Sequence, residues 1–105
     1  MYRPFTAAEA DAAYKKAMSG GTLTTEEAEK YQTAILLSLG KAYHKRNIAM
    51  QLHYSCLRNV NEKMYAKMGP DTGYDMIAQN SCGGEIAALL SALDMTNECP
   101  KTIMY

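Results

Sequence analysis

Between residues 48 and 54 the side chains alternate: Ile48, Met50, Leu52 and Tyr54 share one face of an extended segment, and Ala49, Gln51 and His53 share the other. One face needs apolar cover, and the opposite one ends in an amide and an imidazole. A core strand would stay apolar there, so the polar break marks a candidate site. Upstream the period is helical. Thr6-Ala-Ala-Glu9 is a capping box, and the alanine-rich stretch behind it is stopped by Ser19-Gly20-Gly21. Thr24-Thr-Glu-Glu27 repeats the signature and opens a longer helix. In it Ala28, Tyr31, Ile35, Leu39 and Ala42 recur every three or four residues, which predicts one apolar stripe facing a core, with Gly40 a slight weakness.

Downstream, residues 55–61 read as mostly polar loop. Residues 61–68 place Met64, Tyr65 and Met68 at helical spacing, and Gly69-Pro70-Asp71-Thr72-Gly73 has the turn chemistry that stops a short helix. Gly83-Gly84 leads into a helix over 85–93 whose Ile86, Leu89, Leu90 and Leu93 form its buried stripe, broken by Asn97-Glu98-Cys99-Pro100. Residues 101–105 read as a second strand. The order helix, helix, strand, helix, helix, strand predicts an α/β fold of two successive β/α units behind an N-terminal helical pair. There is no internal repeat and no low-complexity segment.

Composition narrows this picture. A chain of 105 residues, 48% hydrophobic and 21% charged, is folded globular material and one domain at most. In a (β/α)8 barrel, chemistry gathers at the carboxyl ends of the strands, where His53 would lie, but a whole barrel needs roughly 200 residues or more. The expectation is a single partial domain, residues 1–105, holding about a quarter of such a barrel. Eleven basic residues balance eleven acidic ones without forming a stripe, so neither nucleic acid nor a membrane surface is an expected partner. His44, Lys41, Lys45 and Arg46 sit in a helix's last turn, where cations answer the helix dipole. Cys56, Cys82 and Cys99 form no Cys-x-x-Cys pair, which argues against a disulfide framework or a structural zinc site. No signal-like start and no apolar run of about 18 residues is present, so a cytoplasmic location is expected.

Two residues carry the candidate chemistry. His53, at the polar end of its strand, suits a metal ligand or proton shuttle, or a histidine satisfied by backbone groups. Arg58 stands in the following loop, where a guanidinium grips a carboxylate through two parallel hydrogen bonds, or pairs with a nearby acid such as Glu62. Asn59 and Asn61 suit turns or substrate hydroxyls. Asp71 and Asp75 are read as turn residues ahead of paired carboxylates. Gly83-Gly84 lacks the lysine and the glycine spacing of a phosphate cradle, and the eight tyrosines and eight methionines are read as core filler.

Several uncommon runs then come together: Gly40-Lys-Ala-Tyr-His44, Met50-Gln-Leu-His53, Leu57-Arg-Asn59, Gly69-Pro-Asp-Thr-Gly73, and the stretch from Leu93-Asp-Met-Thr-Asn97 through Pro100-Lys-Thr-Ile103. With them the chain resembles the uronate (glucuronate) isomerases of the amidohydrolase superfamily over nearly its whole length. The resemblance implies a partial (β/α)8 TIM barrel, an internal piece spanning roughly the fifth and sixth β/α units, and aldose–ketose isomerisation of hexuronates by the full-length enzyme. It implies a divalent metal, zinc, in that enzyme, with no complete ligand set in this chain. His53 matches the family's strand-end histidine, with ligand and substrate-facing roles both open, and Arg58 matches the following arginine as the substrate's carboxylate clamp. The chain departs from the family pattern at Ser55-Cys56, at Cys99 and around residues 79–82. The chain alone is expected to be inactive and to self-associate through exposed strand edges. The rival expectations are a non-catalytic helical binding module derived from a barrel enzyme, and a related metal hydrolase.

Overall fold

A computed structural model describes residues 2–79 and 82–105. Helices α1 (Ala7–Met18) and α2 (Thr25–Lys45) form an antiparallel pair, followed by β1 (Met50–Leu52), β2 (Cys56–Leu57), α3 (Glu62–Met68), β3 (Met76–Ile77), α4 (Gly83–Asp94) and β4 (Thr102–Met104). Strands β1 and β4 pair in parallel, Met50 opposite Thr102 and Leu52 opposite Met104. Parallel neighbours need a crossover connection, and α4 lies in the connection between them. Strands β2 and β3 pair antiparallel as a separate two-stranded ribbon that encloses α3.

Both long helices begin as their sequences require. The Thr6 and Thr24 side chains accept from the amides of Glu9 and Glu27, and those carboxylates accept from the amides of Thr6 and Thr24 at 2.7 Å. The same two acids reach across the hairpin, Glu9 to Lys30 at 2.7 Å and Glu27 to Lys16 at 2.8 Å. Their carboxyls therefore sit at about 2, far below the ordinary 4.5, held down first by the lysine hydrogen bonds and then by the capped amides. At the other end of α2, Asn47 takes a positive φ of 55° while Asn47 and Ile48 donate back to the carbonyls of His44 and Tyr43. That is a Schellman stop, with asparagine tolerating the left-handed backbone.

The stripe predicted on α2 is only partly a core face. Tyr31 stacks on Tyr14 of α1 at 6.0 Å, but Ile35 and Leu39 are each 41% exposed. The positions buried on α2 are Thr33 and Gly40. A Cβ at Gly40 would stand 2.7 Å from Leu93 Cδ1, so the missing side chain is what lets α4 approach. The larger apolar residues misidentified the packed face because this helix meets α4 through its smallest residue. Residues 55–61, read as loop, contain β2, a strand of two residues whose pairing with the equally short β3 no local period announces.

The segment before β4 is tied to α2 by Lys41 to Glu98 at 2.6 Å and by the His44 ring, whose Nδ1 lies 3.0 Å from the carbonyl oxygen of Cys99. These contacts set β4 beside β1. His44, expected to answer the end of its own helix, instead meets a carbonyl 55 residues further on.

Candidate functional site

His53 follows the last residue of β1, and Tyr105 follows the last residue of β4. The parallel ladder runs on past both strands, with Tyr105 donating to the Leu52 carbonyl and Tyr54 to the Tyr105 carbonyl, each at 3.1 Å. The two rings consequently stack, centroids 4.8 Å apart and planes 18° apart. Tyr105 Oη also lies 3.4 Å from Gln51 Oε1. The polar face read from the alternation is thus present at the strands' carboxyl ends, and it includes a tyrosine that sequence reasoning treated as filler. Its only sequence signal was the terminal position of a predicted strand.

Arg58 sits one residue beyond β2. In the antiparallel register Cys56 faces Ile77 and Leu57 faces Met76, so the next rung sets Arg58 opposite Asp75. Arg58 Nε is 3.4 Å from Asp75 Oδ2, and its Nη2 pairs with Asp71 Oδ1. Asp75 Oδ1 accepts the Asn59 amide at 2.8 Å, and Asn59 Oδ1 accepts the Asp71 amide at 3.0 Å. The Asp75 carboxyl is accordingly held below its ordinary value, first by the Asn59 amide, then by the Arg58 charge, with smaller pulls from the Cys56 thiol and from His53.

The turn reading of residues 69–73 holds, with positive φ at Gly69, Asp71 and Gly73. Yet Asp71 and Asp75 do more than turn the chain, since both hold Arg58. Glu62, suggested as its partner, does not appear among its ion pairs. The Cys56 thiol is pushed up by burial and by the neighbouring Asp75 charge, which disfavours a thiolate nucleophile. All three cysteines are free. Residues 80 and 81, within the divergent run 79–82, lie outside the described residues.

A cavity of about 500 Å³ opens below His53 between α2 and α4, lined mainly by apolar groups such as Leu36, Leu52, Ile86 and Leu89. Its carboxylate, Glu85, repels an anionic ligand. His53 lines this cavity and Arg58 does not, so it does not bring the two candidate residues together. Among the described residues no three of His, Cys, Asp and Glu gather into a group able to hold a metal ion, so the residues present do not fit a complete metal site. Among them, too, no helix is long and apolar enough to cross a membrane.

Among the described residues, four helices with one parallel strand pair and a separate antiparallel ribbon define an α/β protein. The chain belongs to the glucuronate isomerase family, whose model matches residues 1–105. It is 48% identical over 105 residues to the uronate isomerase of Lachnospira eligens and 41% identical over 105 residues to that of Endomicrobium trichonymphae. In each case all of this chain is covered and 22% of the relative, so the chain spans about a fifth of the length of these curated relatives. The crystal structure of uronate isomerase from Thermotoga maritima superposes with a TM-score of 0.73 at 26% identity, over 99% of this chain and 23% of that one.

Proposed function

We propose that residues 1–105 form a partial domain in the wall of a (β/α)8 barrel, and that the full-length enzyme interconverts D-glucuronate with D-fructuronate and D-galacturonate with D-tagaturonate. The parallel β1–β4 pair with His53 and Tyr105 stacked at its carboxyl end carries this reading. The shape of the chain supports it. Its radius of gyration is 16.7 Å, against about 13 Å for an independent domain of this size. It exposes 7555 Å², against roughly 5,800 Å² for a free-standing protein of its mass. Ile48, Ile77, Ile103 and Met104 are among the large apolar side chains left exposed, as a piece of a larger core would leave them. The same excess of apolar surface counts against a self-standing binding module.

In this reading Arg58 holds the substrate's carboxylate and His53 faces the reacting carbons. Isomerisation removes the proton from C2 of the aldose, passes through an enediol and returns a proton to C1, while the carbonyl moves from C1 to C2. An imidazole can take and return such a proton, and a fixed guanidinium keeps the sugar acid from rotating away from it. The reading includes a divalent cation, zinc, whose ligand set this chain does not complete. A location in the cytoplasm is part of the same proposal.

The test uses a full-length carrier, the Lachnospira eligens uronate isomerase with residues 1–105 in place of its matched stretch. The carrier is expected to isomerise hexuronates. Arg58→Ala should raise KM about 10- to 100-fold, as loss of a charged hydrogen-bonded clamp implies, and His53→Ala should lower kcat about 100-fold or more. Wild-type kinetics in both variants would remove the two residues from the site.

A further inference from the structure

We propose that Asp75 is the positioning residue for Arg58, holding the guanidinium by its Nε edge so that the Nη1/Nη2 end is presented to the substrate's carboxylate. The inference rests on the reading of Arg58 as the clamp. A guanidinium is planar, and its five N–H groups point along two usable faces: a side edge of Nε and Nη2, and an end of Nη1 and Nη2. Asp75 contacts Nε, which belongs to the side edge alone, and Asp71 contacts Nη2, the nitrogen that both faces share. A second planar anion reaches the end at Nη1 and, where the exposed Asp71 gives way, at Nη2, the geometry a carboxylate needs for two parallel hydrogen bonds.

Asp75 rather than Asp71 does the holding. The Asp75 side chain is 26% exposed against 67% for Asp71, and among the described residues Asp75 is the one of the two whose side chain also accepts a backbone amide, that of Asn59. Its place opposite Arg58 is set by the β2–β3 register. Its two oxygens are divided between the tasks, Oδ1 on the backbone and Oδ2 on the guanidinium. An arginine in a loop otherwise has four rotatable bonds to immobilise when substrate binds. Asp75 immobilises it beforehand.

The experiment is a double-mutant cycle in the full-length carrier. Asp75→Asn keeps an oxygen for the Asn59 amide and removes the charge from Arg58. It is expected to raise KM for glucuronate about tenfold with kcat changed less than twofold, while Asp71→Asn changes KM less than threefold. In an Arg58→Ala background Asp75→Asn should add nothing. A second readout guards against a merely structural effect: millimolar guanidinium ion should restore part of the KM of Arg58→Ala, but not of the Arg58→Ala/Asp75→Asn pair, which lacks the carboxylate that seats it. If Arg58→Ala raises KM and Asp75→Asn does not, the positioning role is overturned and the clamp stands. An Asp75→Asn effect that persists undiminished without Arg58 overturns it as well. If Arg58→Ala leaves KM unchanged, the clamp itself falls and takes the positioning role with it.

Discussion

The α1–α2 hairpin and the β2–α3–β3 lobe use the same device at different ranges. In each, a carboxylate accepts a backbone amide with one interaction and pairs with a cation through another. Glu9 and Glu27 cap an amide three residues away and hold a lysine on the opposite helix. Asp75 accepts an amide sixteen residues away and holds the arginine beside that amide. The hairpin's acids lock two helices together, whereas the lobe's acid pairs with one loop side chain, Arg58. The difference is between an interaction that serves the fold and one that serves what the fold presents.

The largest expected effect lies outside the lobe, where α2 of the hairpin packs on α4. Leu93 is fully buried, so Leu93→Ala in the full-length carrier should cost about 2–5 kcal/mol of stability, read as a lower urea midpoint. A midpoint unchanged within error would mean the junction is not packed as described. Gly40→Ala should cost about 1–3 kcal/mol, because the new methyl would stand 2.7 Å from Cδ1 of the fully buried Leu93. A stabilised Gly40→Ala variant would show instead that helix propensity outweighs the close approach.

Caps should separate the two regions more finely. Thr24→Ala is expected to lower stability by about 1 kcal/mol and to leave KM and kcat alone, the reverse of Asp75→Asn. A cap variant that altered KM would erase the distinction. The smallest expected effect is acid sensitivity. Because Glu9 and Glu27 are held at about 2 in the folded chain against an ordinary 4.5, their contribution is fully present above about 4.5 and is lost as pH falls toward 2. Glu9→Gln with Glu27→Gln should therefore flatten the pH dependence of the urea midpoint within that window and not above it. An unchanged slope would mean the lysine and amide bonds do not hold these carboxyls ionised.

Most of the helical framework was legible because its signals are local. A threonine and a glutamate three apart start each helix of the pair, glycines end α1, and the alternation around Met50 marked β1 and its polar end. The α/β class and the place of His53 at the carboxyl end of β1 followed from those. What escaped was set by partners distant in sequence. Strands β2 and β3 are two residues each, too short to show a period, and exist by pairing with one another. Asp71 and Asp75 carry ordinary turn chemistry, and nothing local says that both will close on Arg58.

By itself the sequence determined where helices start and stop, which strand carries the imidazole, and the family to which the chain belongs. Each depends on residues a few positions apart or on runs of identity. Only the tertiary structure decided that Gly40 would be the contact with Leu93, that Tyr105 would stack on His53, and that Asp75 would face Arg58. The first depends on how closely α4 approaches α2, and the other two on the β1–β4 and β2–β3 registers, where a one-residue change would send a side chain to the opposite face.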